Sequence, residues 1–182
     1  MKIYHGTSYE NGQNILKNGW NPKNKVWNVS NDDCVYFYYS SGDKKELGQE
    51  DDILIEMALQ SAQIAAATNH SNSTSLYVFS IDIDDSELEC LKDYSCDNMS
   101  NVALEIPVEI LKNKKIEYKI YKNVFCPSLS LVYLSFLNIN QGYLNVSNLT
   151  SSEDSLLSQL KSINLEGIWA IFYNSIQNAI YG

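Results

Sequence analysis

Three short stretches carry residue types able to do chemistry. His5-Gly6-Thr7 ends an apolar and aromatic run that begins at Lys2. An imidazole titrates near neutrality and can donate or accept a hydrogen bond. A lone histidine is more often a packing residue than a functional one. The glycine after it shifts that balance, because it lets another group approach the backbone closely. Val35-Tyr36-Phe37-Tyr38-Tyr39-Ser40 is aromatic enough to stack a flat heterocycle. Ordinary cores hold such strands too. Ala103-Leu104-Glu105-Ile106-Pro107-Val108 sets one carboxylate in an apolar run. In an extended chain Val102, Leu104, Ile106 and Val108 share one face, and Ala103 and Glu105 share the other. A carboxylate there is solvated, paired or functional, because burying it alone is costly.

The elements that must position these residues are short. Residues 2–5 read as a strand that Gly6-Thr7-Ser8 ends, and Ser8 is a natural helix cap. The helix that follows runs from Tyr9 to Asn18. Gly19 supplies its C-terminal stop and Pro22 prevents continuation. Lys25 to Ser30 reads as a strand. Cys34 to Tyr39 reads as another, rich in β-branched and aromatic types. Residues 51–68 carry Ile53, Leu54, Met57, Ala58, Ala62, Ala65 and Ala66 at helical spacing, with aspartates where the dipole favours them. The alanines allow close approach to a sheet or ligand. Leu76 to Ile83, Val102 to Val108 and Lys115 to Tyr121 read as strands, with an acidic loop from Asp84 to Ser100. Beyond Val124 the pattern changes. Leu131 to Leu137 is apolar, and helices are expected over Ser151–Lys161 and Gly167–Tyr181. The division is a core over 1–123 and a partly helical extension over 124–182 that covers the sheet, in one domain overall.

Composition narrows the chemistry. The chain has 182 residues, 45% of them hydrophobic and 19% charged, which is globular rather than disordered. It carries 13 basic and 22 acidic side chains, for a net charge of -9. Every basic residue is lysine, so no bidentate guanidinium clamp is available. Codon bias in an AT-rich genome accounts for that absence. The acidity argues against a broad footprint on nucleic acid or an anionic membrane. No signal peptide and no membrane-length apolar run are evident. Cys34, Cys90, Cys96 and Cys126 lack metal-binding spacing, and His5 and His70 are the only histidines. No metal site is expected. The cysteines read as reduced residues of a cytoplasmic protein.

The order of the three stretches resembles the ADP-ribosyltransferase superfamily. It is most similar to the His–Tyr–Glu branch, which holds diphtheria toxin and the poly(ADP-ribose) polymerases. The residues that carry the resemblance are Tyr4-His5-Gly6-Thr7, Val35-Tyr36-Phe37 and Leu104-Glu105-Ile106, spread over residues 2–121. The arginine-first branch, of the cholera-toxin type, does not fit a chain without arginine. The tRNA 2′-phosphotransferase relatives do not fit for the same reason.

The resemblance implies an α+β fold with two small packed sheets, antiparallel or mixed, around a cleft for NAD, plus the C-terminal helical extension. It implies that His5 bonds a ribose hydroxyl of the adenosine half and that Gly6 holds the nicotinamide carboxamide through its backbone. Tyr36 packs on the nicotinamide ring. Thr7 joins the cofactor-binding set, and Tyr38, Tyr39 and Trp27 are candidates for the second aromatic wall. Glu105 is the implied catalytic carboxylate, with His5 and Tyr36 in its support. Glu109 is its rival if the strand continues past Pro107. Ala103 departs from the pattern, because transferases aimed at protein side chains often carry Gln or Glu there. The implied activity is transfer of ADP-ribose from NAD to a protein or nucleic-acid acceptor, as in bacterial or phage toxins and defence effectors, with a neutralising antitoxin or inhibitor as a partner. The alternatives are an NAD glycohydrolase and a catalytically inactive binding module of the same fold.

Overall fold

The computed structural model describes residues 1–22, 31–40, 50–95, 101–127 and 165–182. The Lys25–Ser30 strand, Trp27, the Leu131–Leu137 run and the Ser151–Lys161 helix lie outside the described residues.

Ser8 and Gly19 punctuate the first helix as their chemistry dictates. Strand β1 spans Lys2–Ser8 and passes directly into helix α1, Tyr9–Asn18. The Ser8 hydroxyl accepts from the Asn11 N–H, and Gly19, at φ 81°, sends its N–H back to the Ile15 carbonyl. The strand is longer than residues 2–5, because seven of its residues pair with β3. Strand β2 is Cys34–Tyr38, helix α2 is Glu50–Thr68 and strand β3 is Leu76–Asp82. One turn of 3-10 helix at Asp85–Glu87 leads into α3, Leu88–Leu91. Strand β4, Ala103–Pro107, gives way at once to α4, Val108–Leu111. Strand β5 is Glu117–Tyr121, and helix α5 is Leu165–Tyr181.

The class is α+β. The described strands form one antiparallel sheet in the order β4-β2-β1-β3-β5. Two separate sheets are not seen among the described residues. The sheet is nevertheless unevenly joined. β1 pairs with β3 over seven residues and β2 with β4 over five, but β1 meets β2 only at Tyr4 and Tyr38. Past that pair the ladder forks, with β2–β4 on one side and β1–β3–β5 on the other.

Alternation along the strands divides the core in two. Tyr4, Leu76, Val78 and Tyr121 pack against the apolar side of α2, including Leu54, Ala58, Leu59 and Ala62. Ile3, Val35, Phe37, Tyr39, Ile81, Leu104 and Ile106 fill the opposite face. Fully burying each large side chain contributes roughly 1.5–3 kcal/mol. Helix α5 docks on α2: Ile176 enters the first core, Gln63 Nε2 donates to Ser175 Oγ at 3.4 Å, and Gln177 Nε2 donates to Glu56 at 2.8 Å.

Candidate functional site at the fork of the sheet

The fork sets Tyr36 beside Glu105 on one face and brings the His5 ring, on the other face, against the Tyr36 backbone. Tyr36 on β2 and Glu105 on β4 are Cα partners across the ladder, so their side chains share one face. Both are half-buried. Tyr4 and Tyr38 are partners on the same face, which is the face α2 covers further along. His5, one residue on, therefore projects to the other face. Its imidazole lies beside Trp20 and Phe37, each with its ring centroid 5.4 Å away. From there Nδ1 reaches the Tyr36 backbone carbonyl at 2.8 Å. An imidazole side chain thus bonds a β2 carbonyl just where the β1–β2 ladder has stopped.

That bond sets the tautomer. A carbonyl only accepts, so Nδ1 carries the proton and Nε2 is left as an acceptor. Burial among the rings lowers the His5 pKa to about 4, against the opposing pull of the Tyr36 carbonyl. The ring is neutral at pH 7. It is suited to accept a hydrogen bond from a hydroxyl.

Tyr36 is held at both ends. Its backbone carbonyl accepts a hydrogen bond from His5 Nδ1, and its hydroxyl accepts from the Asn31 N–H at 2.8 Å. Burial pushes the phenol up to about 12; the Asn31 N–H pulls the other way, and the Glu105 and Asp93 charges add to the rise. Cys34, two residues before Tyr36 and on its face, sits diagonally from Glu105 across the ladder. Burial first, and then the Glu105 carboxylate, push its thiol up to about 11. It is a protonated neighbour of the carboxylate and no nucleophile.

Gly6 is a close-approach glycine, and the group that approaches is protein. A Cβ placed there would sit 1.6 Å from the Ala58 carbonyl oxygen of α2. The alanine-rich helix uses its small side chains to lie on the strand at this point. Thr7 is buried and pairs with Tyr77 of β3. Tyr39 is 2% exposed and belongs to the core on the face away from Glu105, so it offers no open ring surface. Tyr38 shares the face of Tyr36 and bonds Ser61 of α2. Glu109 leaves the site. Pro107 ends β4, and Glu109 lies on α4 with a 79% exposed side chain bonded to Lys112 at 2.6 Å.

Trp20 is a neighbour that sequence reasoning did not single out. Its ring packs on His5, Phe37 and Phe79, and its Nε1 is buried with no hydrogen-bond partner among the described residues. Its position just after the helix stop at Gly19 gave no hint of that contact. Among the described residues no cluster of three or more His, Cys, Asp and Glu could hold a metal ion. No described helix is long and apolar enough to cross a membrane. Cys34 and Cys90 are free thiols. No protein-family model, curated protein or solved structure matches the chain.

Proposed function

We propose that this protein is an NAD-dependent ADP-ribosyltransferase of the His–Tyr–Glu type, with an ADP-ribosyltransferase-like fold. The observation that carries the reading is the apposition of Tyr36 and Glu105 beside the fork, with the neutral His5 ring tied to the Tyr36 carbonyl. An aromatic ring, a half-buried carboxylate and a hydroxyl acceptor are the groups that breaking a ribose–nicotinamide bond requires.

In this reading His5 Nε2 accepts from an adenosine-ribose hydroxyl, and Tyr36 packs on the nicotinamide. Glu105 bonds the 2′-hydroxyl of the other ribose and stabilises the positive charge that builds on that sugar. The leaving group departs as neutral nicotinamide, so no strong acid is needed. Preorganised groups of this kind are typically worth about 2.7–4 kcal/mol each. The absence of arginine leaves the pyrophosphate to hydroxyls, backbone amides and lysine. The acceptor is a protein or a nucleic acid, the setting is cytoplasmic, and the biological role is that of a toxin or defence effector with a neutralising partner.

One observation favours hydrolysis as a second reading. Ala103, two residues before Glu105, is buried and brings no polar group to an acceptor. Incubation with NAD labelled in the adenosine half separates the readings. Label on protein or nucleic acid supports transfer; free ADP-ribose alone supports a glycohydrolase. Absence of both, together with no NAD binding at millimolar concentration, would overturn the proposal.

A further inference from the structure

We propose that Asp93 is a second carboxylate of this site and acts on the acceptor. The inference rests on the transferase reading and goes on to specify the acceptor's chemical class.

The argument begins at the outer edge of β4. Lys92 forms an isolated antiparallel bridge with Leu104, and the Asp93 N–H donates to the Ala103 carbonyl at 3.0 Å. These bonds set Asp93 opposite Ala103. Ala103 is opposite Tyr38, and Tyr38 is opposite Tyr4. The four residues therefore form one cross-strand row on the face that Glu105 and Tyr36 share. Asp93 and Glu105 are diagonal neighbours, about 7–8 Å apart along such a ladder. The Asp93 charge is felt by both the Tyr36 and Tyr38 phenols, as this placement requires. Lys92 turns to the other face, where it bonds Glu89 at 2.5 Å.

The burial of Asp93 calls for an explanation. The residue is 3% exposed. Its Oδ1 accepts from the Ser95 N–H at 2.8 Å. Among the described residues no cation pairs with it and no donor reaches its other oxygen. Its second oxygen has room for a further hydrogen-bond partner. An incoming X–H group is that partner.

Two carboxylates on diagonal residues of one face can divide the labour. Glu105 serves the sugar. Asp93 takes the acceptor's proton as the acceptor heteroatom bonds the anomeric carbon and the bond from that carbon to nicotinamide N1 breaks. The electron pair of the broken bond returns to nicotinamide, and the proton passes from Asp93 to solvent. An acceptor handled this way is a hydroxyl or N–H nucleophile. An acidic side chain does not qualify, since it has no proton to give at neutral pH and faces two negative charges.

The test uses the full chain with Asp93→Asn, which keeps an oxygen for the Ser95 N–H, and sodium azide as the probe nucleophile. Azide needs no deprotonation. Loss of a general base costs typically 100-fold or more, so nicotinamide release from NAD falls by about that factor. Azide restores it, with ADP-ribosyl azide seen by mass spectrometry. Calorimetric NAD binding reports that the variant is folded, and Asp93→Ser is the second variant if Asn is not tolerated. Wild-type turnover in the variant overturns the assignment, as does a loss that azide leaves unrestored. Failure of the transferase reading looks different: the wild-type chain then releases no nicotinamide.

Discussion

His5 donates its Nδ1 proton to the backbone carbonyl of Tyr36 at 2.8 Å, across the point where β1 and β2 separate. The bond joins two of the three candidate residues. It also puts a side chain where a ladder hydrogen bond would be, and leaves the other ring nitrogen as an acceptor.

The His5 environment makes stability depend on pH. Its folded pKa of about 4 lies below the ordinary 6.5, so between those values the unfolded chain binds more protons than the folded one. Stability is full above pH 6.5 and is lost as pH falls toward 4, by at most about 3 kcal/mol. Urea denaturation of wild type and His5→Asn across that window checks this. The variant should show a flatter profile.

Glu105→Gln should reduce nicotinamide release by roughly 100–1000-fold while sparing NAD binding. Glu109→Ala should leave turnover unchanged, because its exposed pair with Lys112 is worth at most about 1 kcal/mol. Steady-state kinetics on the two variants checks the assignment. A reversed ranking would give the catalytic role to Glu109.

Gly6→Ala should cost about 3 kcal/mol or more, since its Cβ would overlap the Ala58 carbonyl oxygen and backbone cannot step aside cheaply. Thermal denaturation followed by circular dichroism reads the loss. An unchanged Tm would mean that α2 stands further from β1.

Tyr36 separates ring from hydroxyl. Tyr36→Phe loses the bond from Asn31, worth about 1 kcal/mol, and keeps the stacking surface. Its KM for NAD should stay near wild type. Tyr36→Ala removes the surface and should raise KM roughly 10-fold or more. Equal KM values in the two variants would remove Tyr36 from the proposed nicotinamide contact.

Much of the fold is legible residue by residue. Ser8 and Gly19 bound α1 because a hydroxyl cap and a left-handed stop act locally. Alanines at helical spacing mark the face that α2 lays on β1. Pro107 stops β4, which separates Glu105 from Glu109. Other features are not local. Gly6 looks like the end of a strand, yet β1 runs on to Ser8 because β3 pairs with it throughout. Tyr39 reads as well as Tyr38 for an aromatic wall, and only its burial in the far core removes it.

By itself the sequence determined the α+β class and most element boundaries. Those follow from propensity, capping and alternation, which act within a few neighbours along the chain. Tertiary structure alone decided that a single pair, Tyr4 and Tyr38, joins the two halves of the sheet. It also set Glu105 opposite Tyr36 and brought Asp93 beside Ala103. Register between distant strands is chosen by the packing of both faces at once, and no single segment encodes it.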